Sequence, residues 1–115
     1  MKLPYRNSVS VQQIIHKLET YALNFDHSTG RHKAILFRSR LGITLDNKEV
    51  LVAAILDEVV RGDASRTKTT QYGEHYLLDF SMTTTVGTSQ VRSAWIIQEQ
   101  CPHLTSVYPI RTKEK

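Results

Sequence analysis

The stretch NKEVLVAAILDEVVRGDASRTKTTQYGEHYLLDFSM, residues 47–82, changes its hydrophobic period half way along. From Asn47 to Arg61 the apolar residues Leu51, Ala54, Ile55 and Val59 recur at helical spacing, with Asp46 as a cap candidate and Gly62-Asp63 as the stop. Beyond that point the chain is β-branched, aromatic and alternating. Glu74 to Met82 puts Tyr76, Leu78 and Phe80 on one face of a strand and His75, Leu77 and Asp79 on the other. Ser65 to Gln71 is Thr-rich and polar, which suits an edge strand, and Tyr72-Gly73 reads as the turn between the two.

Working outward, the period stays helical upstream and strand-like downstream. Ser10 is a good N-cap with Gln13 at the capping-box position, and Val11, Ile14, Ile15, Leu18 and Ala22 form an apolar stripe behind it. Asn24 to Ser28 interrupts that stripe as a loop. Ser28 or Thr29 can cap a second helix, from Gly30 to about Arg40, which ends at Leu41-Gly42. Downstream, Val86-Gly87 is a turn, Val91 to Gln98 is the most hydrophobic strand, and His103 to Ile110 is the last. Strands joined by short turns pair antiparallel. The expectation is therefore an α+β domain spanning residues 1–115: about three N-terminal helices over residues 10–62, packed on one face of a four-stranded antiparallel sheet over 65–110.

The composition agrees with a folded chain. Of 115 residues, 40% are hydrophobic and 23% charged, outside the disordered range. No apolar run approaches the roughly 18 residues that span a bilayer, and MKLPYRNSVS carries no apolar stretch after Lys2. These features predict a cytoplasmic protein that makes no membrane contact. The single cysteine, Cys101, can form neither an intramolecular disulfide nor a zinc knuckle. The net charge of +4 equals the charge of one acid-free window, residues 31–40, which holds Arg31, Lys33, Arg38 and Arg40. Such a cluster suits phosphate contacts. It equally suits a solvated helix face.

Several chemistries are absent. Five scattered glycines make no phosphate loop, and no HExxH or acidic cluster offers metal ligands. Neither a cofactor nor a metal is expected. What remains is a set of polar residues oddly placed for a plain core. His27, Gly30 and Lys33 form an HxxGxxK run at a loop-to-helix junction, where free N–H groups and a positive dipole end favour anions. A loop histidine bonded near Asn24 or Asp26 would account for His27 as well. Arg92 sits just inside the most hydrophobic strand, which is costly unless it is paired, solvent-facing or serves a phosphate. Thr105, Ser106 and Tyr108 cluster late in the last strand.

The run KLETYALNFDHSTGRHKAILFRSRLGI, then QYGEHYLLDF, VRSAWII and CPHLTSVYP, resembles an uncharacterised bacterial domain of about this length. That domain is found alone beside small antitoxin-like partners and at the ends of polymorphic toxins. Its pattern, about KLxxYxLNxxHxxGxxKAxxF, YG, VRxxWII and PxLxTxYP, covers residues 14–110. The chain is thereby similar to the barnase–EndoU–colicin–RelE ribonuclease superfamily, whose helices precede a four-stranded antiparallel sheet. The resemblance implies the toxin of a toxin–antitoxin pair, a metal-independent endoribonuclease acting by 2′-hydroxyl attack. It implies RNA as substrate and a small acidic antitoxin as partner. The family's polar positions fall on His27, Gly30, Lys33, Tyr72, Arg92, Thr105 and Tyr108. The family ends Thr-Ala-Tyr-Pro where this chain reads Thr105-Ser106-Val107-Tyr108-Pro109, so either Thr105 or Ser106 can be the site hydroxyl. On this reading His27, Lys33, Arg92, Thr105 and Tyr108 are catalytic, and Arg31, Arg38, Arg40 and Tyr72 hold RNA. A non-catalytic module of the same fold, binding nucleic acid or protein, is the alternative.

Overall fold

The computed structural model describes residues 1–110; the last five residues of the expected span, 111–115, lie outside them. Three helices come first, α1 (Val11–Lys17), α2 (Arg31–Leu41) and α3 (Lys48–Arg61). Four strands follow, β1 (Ala64–Thr70), β2 (Gly73–Thr83), β3 (Thr88–Gln98) and β4 (Cys101–Ile110). The strands form one antiparallel sheet in the order β1-β2-β3-β4, as short connections require. The α+β architecture is the one that the change of period predicts.

Alternation decides which face is buried. Tyr76, Leu78, Phe80, Val91, Trp95, Leu104 and Val107 turn toward the helices and pack on Ile14, Leu18, Phe37, Leu41, Leu51 and Ile55. The opposite face carries His75, Asp79, Arg92, Ser106 and Tyr108, exposed or half-buried. Within the core, Trp95 Nε1 donates to Ser93 Oγ (2.9 Å), which donates to the Leu78 carbonyl (2.7 Å). These two buried polar groups are thus satisfied in a chain.

The helix ends correct three expectations. The apolar stripe of the first helix does not run on as α-helix to Ala22: residues 18–22 form a π turn, closed by the Leu23 N–H bonding the Leu18 carbonyl five residues back (2.9 Å). Ser28 and Thr29 do not cap α2; its N-cap is Gly30, without a side-chain cap bond, and the Gly30 N–H itself goes to the His27 imidazole. Asp46 does not cap α3 either. Thr44 and Asn47 form a reciprocal box around the short turn before it, with Thr44 N to Asn47 Oδ1 at 2.8 Å. Gly42 does close α2 in the left-handed conformation (φ 67°), which a side chain would strain.

Ser10 caps α1 by accepting from Gln13 N (3.1 Å), but the Gln13 side chain goes elsewhere. It donates to the Leu104 carbonyl (2.9 Å) and accepts from the Leu104 N–H (2.8 Å). Since β4 is an edge strand, this one amide satisfies both outward backbone groups of Leu104. Residues 1–9, ahead of the expected helical part, also contribute: Leu3 is fully buried in the core. No helix among the described residues is long and apolar enough to cross a membrane.

Candidate functional site

The loop before α2 turns on Asn24. Its side chain accepts from Asp26 N (2.8 Å) and its carbonyl from His27 N (3.3 Å). That places the imidazole of His27 over the start of α2, where Nδ1 accepts from Thr29 N (3.1 Å) and Gly30 N (3.0 Å). A nitrogen that accepts two N–H bonds carries no proton, so the ring's proton sits on Nε2. His27 therefore fastens the loop at the entry to α2 by taking two successive backbone N–H groups. Gly30 lets the loop close: a Cβ there would lie 2.1 Å from the Tyr21 carbonyl oxygen.

Tyr21 stands at the centre of the cluster. The His27 ring meets it edge-on, with centroids 4.9 Å apart and planes at 85°. The Lys33 ammonium lies 5.0 Å from the Tyr21 ring centroid and 5.2 Å from that of Tyr108, so it is held between two phenols. Lys17 approaches the Tyr21 ring from α1, at 5.6 Å. Hydrogen bonding from Lys33 pulls the Tyr21 phenol below its ordinary range against the opposing effect of burial, aided by the Lys33 charge and by the hydroxyls of Ser106 and Thr29. The Ser106 hydroxyl is buried and has no hydrogen-bond partner among the described residues.

A row across the sheet continues from Tyr108. Asp79, Arg92 and Tyr108 are register partners on β2, β3 and β4. Arg92 Nε donates to Asp79 Oδ1 (3.0 Å) and Nη2 to Oδ2 (2.9 Å). Bonding to Asp79 raises the pKa of Arg92 further, against desolvation, and the Tyr108 hydroxyl adds to the rise. The bland account of a charge in a hydrophobic strand, that it is paired and half-exposed, accordingly holds for Arg92 alongside its place in the row.

Two single-residue insertions aim these side chains. The π turn carries Tyr21. In β4, Ala94 pairs with Ser106 and Trp95 with Leu104, leaving Thr105 as the extra residue of a bulge. After the bulge the alternation shifts, so Ser106 and Tyr108 face the cluster while Val107 is buried. The choice between Thr105 and Ser106 now has a geometric content. Thr105 is exposed and donates to the Ala94 carbonyl (3.1 Å), whereas Ser106 sits by Tyr21 with its hydroxyl free.

The basic window divides in two. Arg31 and Arg38, seven residues apart, share one exposed face of α2, and Arg38 lies 5.0 Å over the Phe25 ring. Lys33 and Arg40 fall on the opposite face and are half-buried. Among the described residues none of these four makes an ion pair. Tyr72 is not with them. It lines an open hollow of about 700 Å³ with Thr70, Gly73, Ile97, Glu99 and His103, at the far end of the sheet. Five residues of β3 separate Ile97 from Arg92, about 17 Å. This hollow lacks the convergent cations and phenols of the Tyr21 cluster.

The structure thus brings together His27, Lys33, Arg92, Ser106 and Tyr108, with Thr105 adjacent, and adds Tyr21, Lys17 and Asp79, which the motifs did not single out. Tyr21 lies in the very run that carries the resemblance, six residues before His27. Its importance depends on a π turn that helical spacing does not announce. No group of three His, Cys, Asp or Glu side chains converges among the described residues.

A family model described as a domain of unknown function, DUF6883, matches residues 2–111. Among solved structures, one chain of a complex described as a contact-dependent growth inhibition toxin–immunity protein complex, from Klebsiella pneumoniae 342, has a TM-score of 0.62 and 16% identity. The match covers 90% of this chain and 99% of that one. At that identity the likeness is one of fold. No curated protein matches the chain in sequence.

Proposed function

This chain belongs to the DUF6883 family, and we propose that it is a toxin whose activity is that of an endoribonuclease needing no metal. The observation that carries the reading is the Lys33 ammonium held 5.0 Å and 5.2 Å from the rings of Tyr21 and Tyr108, with Arg92 next in the row. Cations, phenols and an imidazole N–H meet at one strand edge, and the single acid named there, Asp79, is already bound to Arg92. The net charge of such a group is positive and favours an anionic substrate. It suits a phosphodiester, whose charge grows at the phosphorane-like transition state.

In this role Lys33 and Arg92 neutralise that charge, His27 donates its Nε2–H to a phosphate oxygen, and Tyr108 and Ser106 orient the phosphate. Arg31 and Arg38, on the exposed face of α2, add electrostatic attraction for the RNA backbone. The fold of a chain from a toxin–immunity complex supports the toxin half of the reading, together with a partner that neutralises it. A net charge of +4 and unpaired cations on α2 favour an acidic partner seated over Lys33 and Arg92.

Incubating the purified protein with total RNA, with and without EDTA, tests the activity: cleavage to cyclic-phosphate ends in both arms is expected. No cleavage at any protein concentration refutes it. The second reading, a binding module of the same fold, gains from the hollow around Tyr72 and predicts RNA retention without cut ends.

A further inference from the structure

The reaction requires a group that accepts a proton, and His27 is poorly placed to be it. Its Nδ1 is committed to the amides of Thr29 and Gly30, which leaves Nε2 as a donor. Lys33 and Arg92 are cations. Two phenols remain, Tyr108 and Tyr21, and Tyr21 is the one ringed by Lys17 from α1, Lys33 from α2, His27 and Thr29 from the loop, and Ser106 from β4. Every charged group in that ring is positive, an arrangement that stabilises a phenolate. The buried Ser106 hydroxyl, without a partner, is a further donor at hand.

We propose that Tyr21 is the general base of the cleavage and that Lys33, pressed against it, is the general acid. The inference rests on the ribonuclease reading given above. The Tyr21 phenolate oxygen takes the proton of the RNA 2′-hydroxyl as the 2′-oxygen bonds to phosphorus. The bond from phosphorus to the 5′-oxygen breaks, and that oxygen takes a proton from the Lys33 ammonium. The products are a cyclic phosphate and a 5′-hydroxyl. Tyr21 ends as phenol and Lys33 as amine, and one proton passing from the first to the second resets the site. The lowered Tyr21 phenol is consistent with this cycle.

Two measurements on the full chain test it. Alkaline titration followed by phenolate absorbance, parent minus Tyr21→Phe, isolates Tyr21; its midpoint should lie below the usual value of about 10 and rise in Lys33→Met. In RNA cleavage, Tyr21→Phe should lower kcat by roughly a hundredfold or more with KM changed less than about threefold. The limb by which kcat rises with pH should follow the absorbance midpoint and vanish in the variant. If the parent cuts RNA and a normally melting Tyr21→Phe protein cuts at the parental rate, Tyr21 is not the base. A midpoint at or above about 10 overturns the pairing with Lys33. If the parent cuts no RNA while Tyr21 titrates low, the ribonuclease reading itself falls, and the catalytic role with it.

Discussion

Arg92 reaches from β3 to Asp79 on β2 with two arms of its guanidinium, at 3.0 and 2.9 Å, while its register partner on the other side is Tyr108. The carboxylate fixes the plane of the fork and leaves the remaining N–H donors to point elsewhere. Asp79 is thus a positioning residue for Arg92. With about a third of each side chain exposed (34% and 37%), the pair itself adds little stability, under about 1 kcal/mol. Arg92→Ala should lower RNA cleavage by roughly two orders of magnitude, Asp79→Asn by about one, and both should melt near the parental temperature. Arg92→Lys should fail to restore the rate, because an ammonium cannot bond Asp79 bidentately and still present a fork. Full activity in Arg92→Lys would show that only a point charge is needed.

His27 has two nitrogens with separate duties, and isosteres can part them. In His27→Asn the amide oxygen takes the place of Nδ1, which keeps the bonds to Thr29 and Gly30 while losing the Nε2–H. In His27→Gln the amide reaches the Nε2 position but gives up the bonds to the Thr29 and Gly30 N–H groups. The Asn variant should melt like the parent and cut RNA roughly a hundredfold more slowly. The Gln variant should lose about 1 kcal/mol of stability while keeping more of the activity. Thermal melts beside cleavage rates separate the two; equal rates in the Asn variant and the parent would remove His27 from the chemistry.

Trp95 and Ser93 are stability residues only. Trp95→Ala empties the centre of the core and should cost about 3–5 kcal/mol. Ser93→Ala, a smaller change, leaves the Trp95 N–H and one bond of the Leu78 carbonyl unmet and should cost about 1–3 kcal/mol. Denaturant unfolding measures both. Under conditions where Ser93→Ala is still folded, its cleavage rate should match the parent.

Tyr76 makes an alkaline prediction. Burial, and after it the hydrogen bond to Glu74 (3.0 Å), raises its phenol above the ordinary value. Below about pH 10 both folded and unfolded chains keep the proton, so the full stability is present. As pH rises further the unfolded chain ionises first, and stability falls through the folded-state pKa. Tyr76→Phe should therefore lose less stability than the parent between neutral pH and about pH 10.5. Tyr21, whose phenol shifts the other way, is common to both proteins and drops out of the comparison.

Much of the fold is legible because it rests on period. Leu51, Ile55 and Val59 repeat as a helix must, and Tyr76, Leu78 and Phe80 alternate as a half-buried strand must, so α3 and β2 follow from spacing alone. The candidate site is less legible because it rests on breaks in period. Nothing in Leu18 to Ala22 distinguishes a π turn from the α-helix that the stripe predicts, and without that turn Tyr21 is one more half-buried aromatic. The start of α2 was hidden for a related reason: Ser28 and Thr29 have the usual capping side chains, yet the N-cap is Gly30 and the loop is fastened by His27. Tyr72 shows the converse, a motif position that sequence groups with the site and the sheet carries to its far end.

The π turn also ties the cluster to chain length rather than to residue type alone. It and the Thr105 bulge each hold one residue more than regular structure needs. Deleting a single residue from 18–22 would let the helix rewind and swing Tyr21 about 100° around its axis. Deleting Thr105 would do the reverse: Leu104 would stay opposite Trp95 and Ser106 opposite Ala94, so both strand segments would keep their faces. The first deletion alone would disperse the cluster with every one of its side chains still encoded.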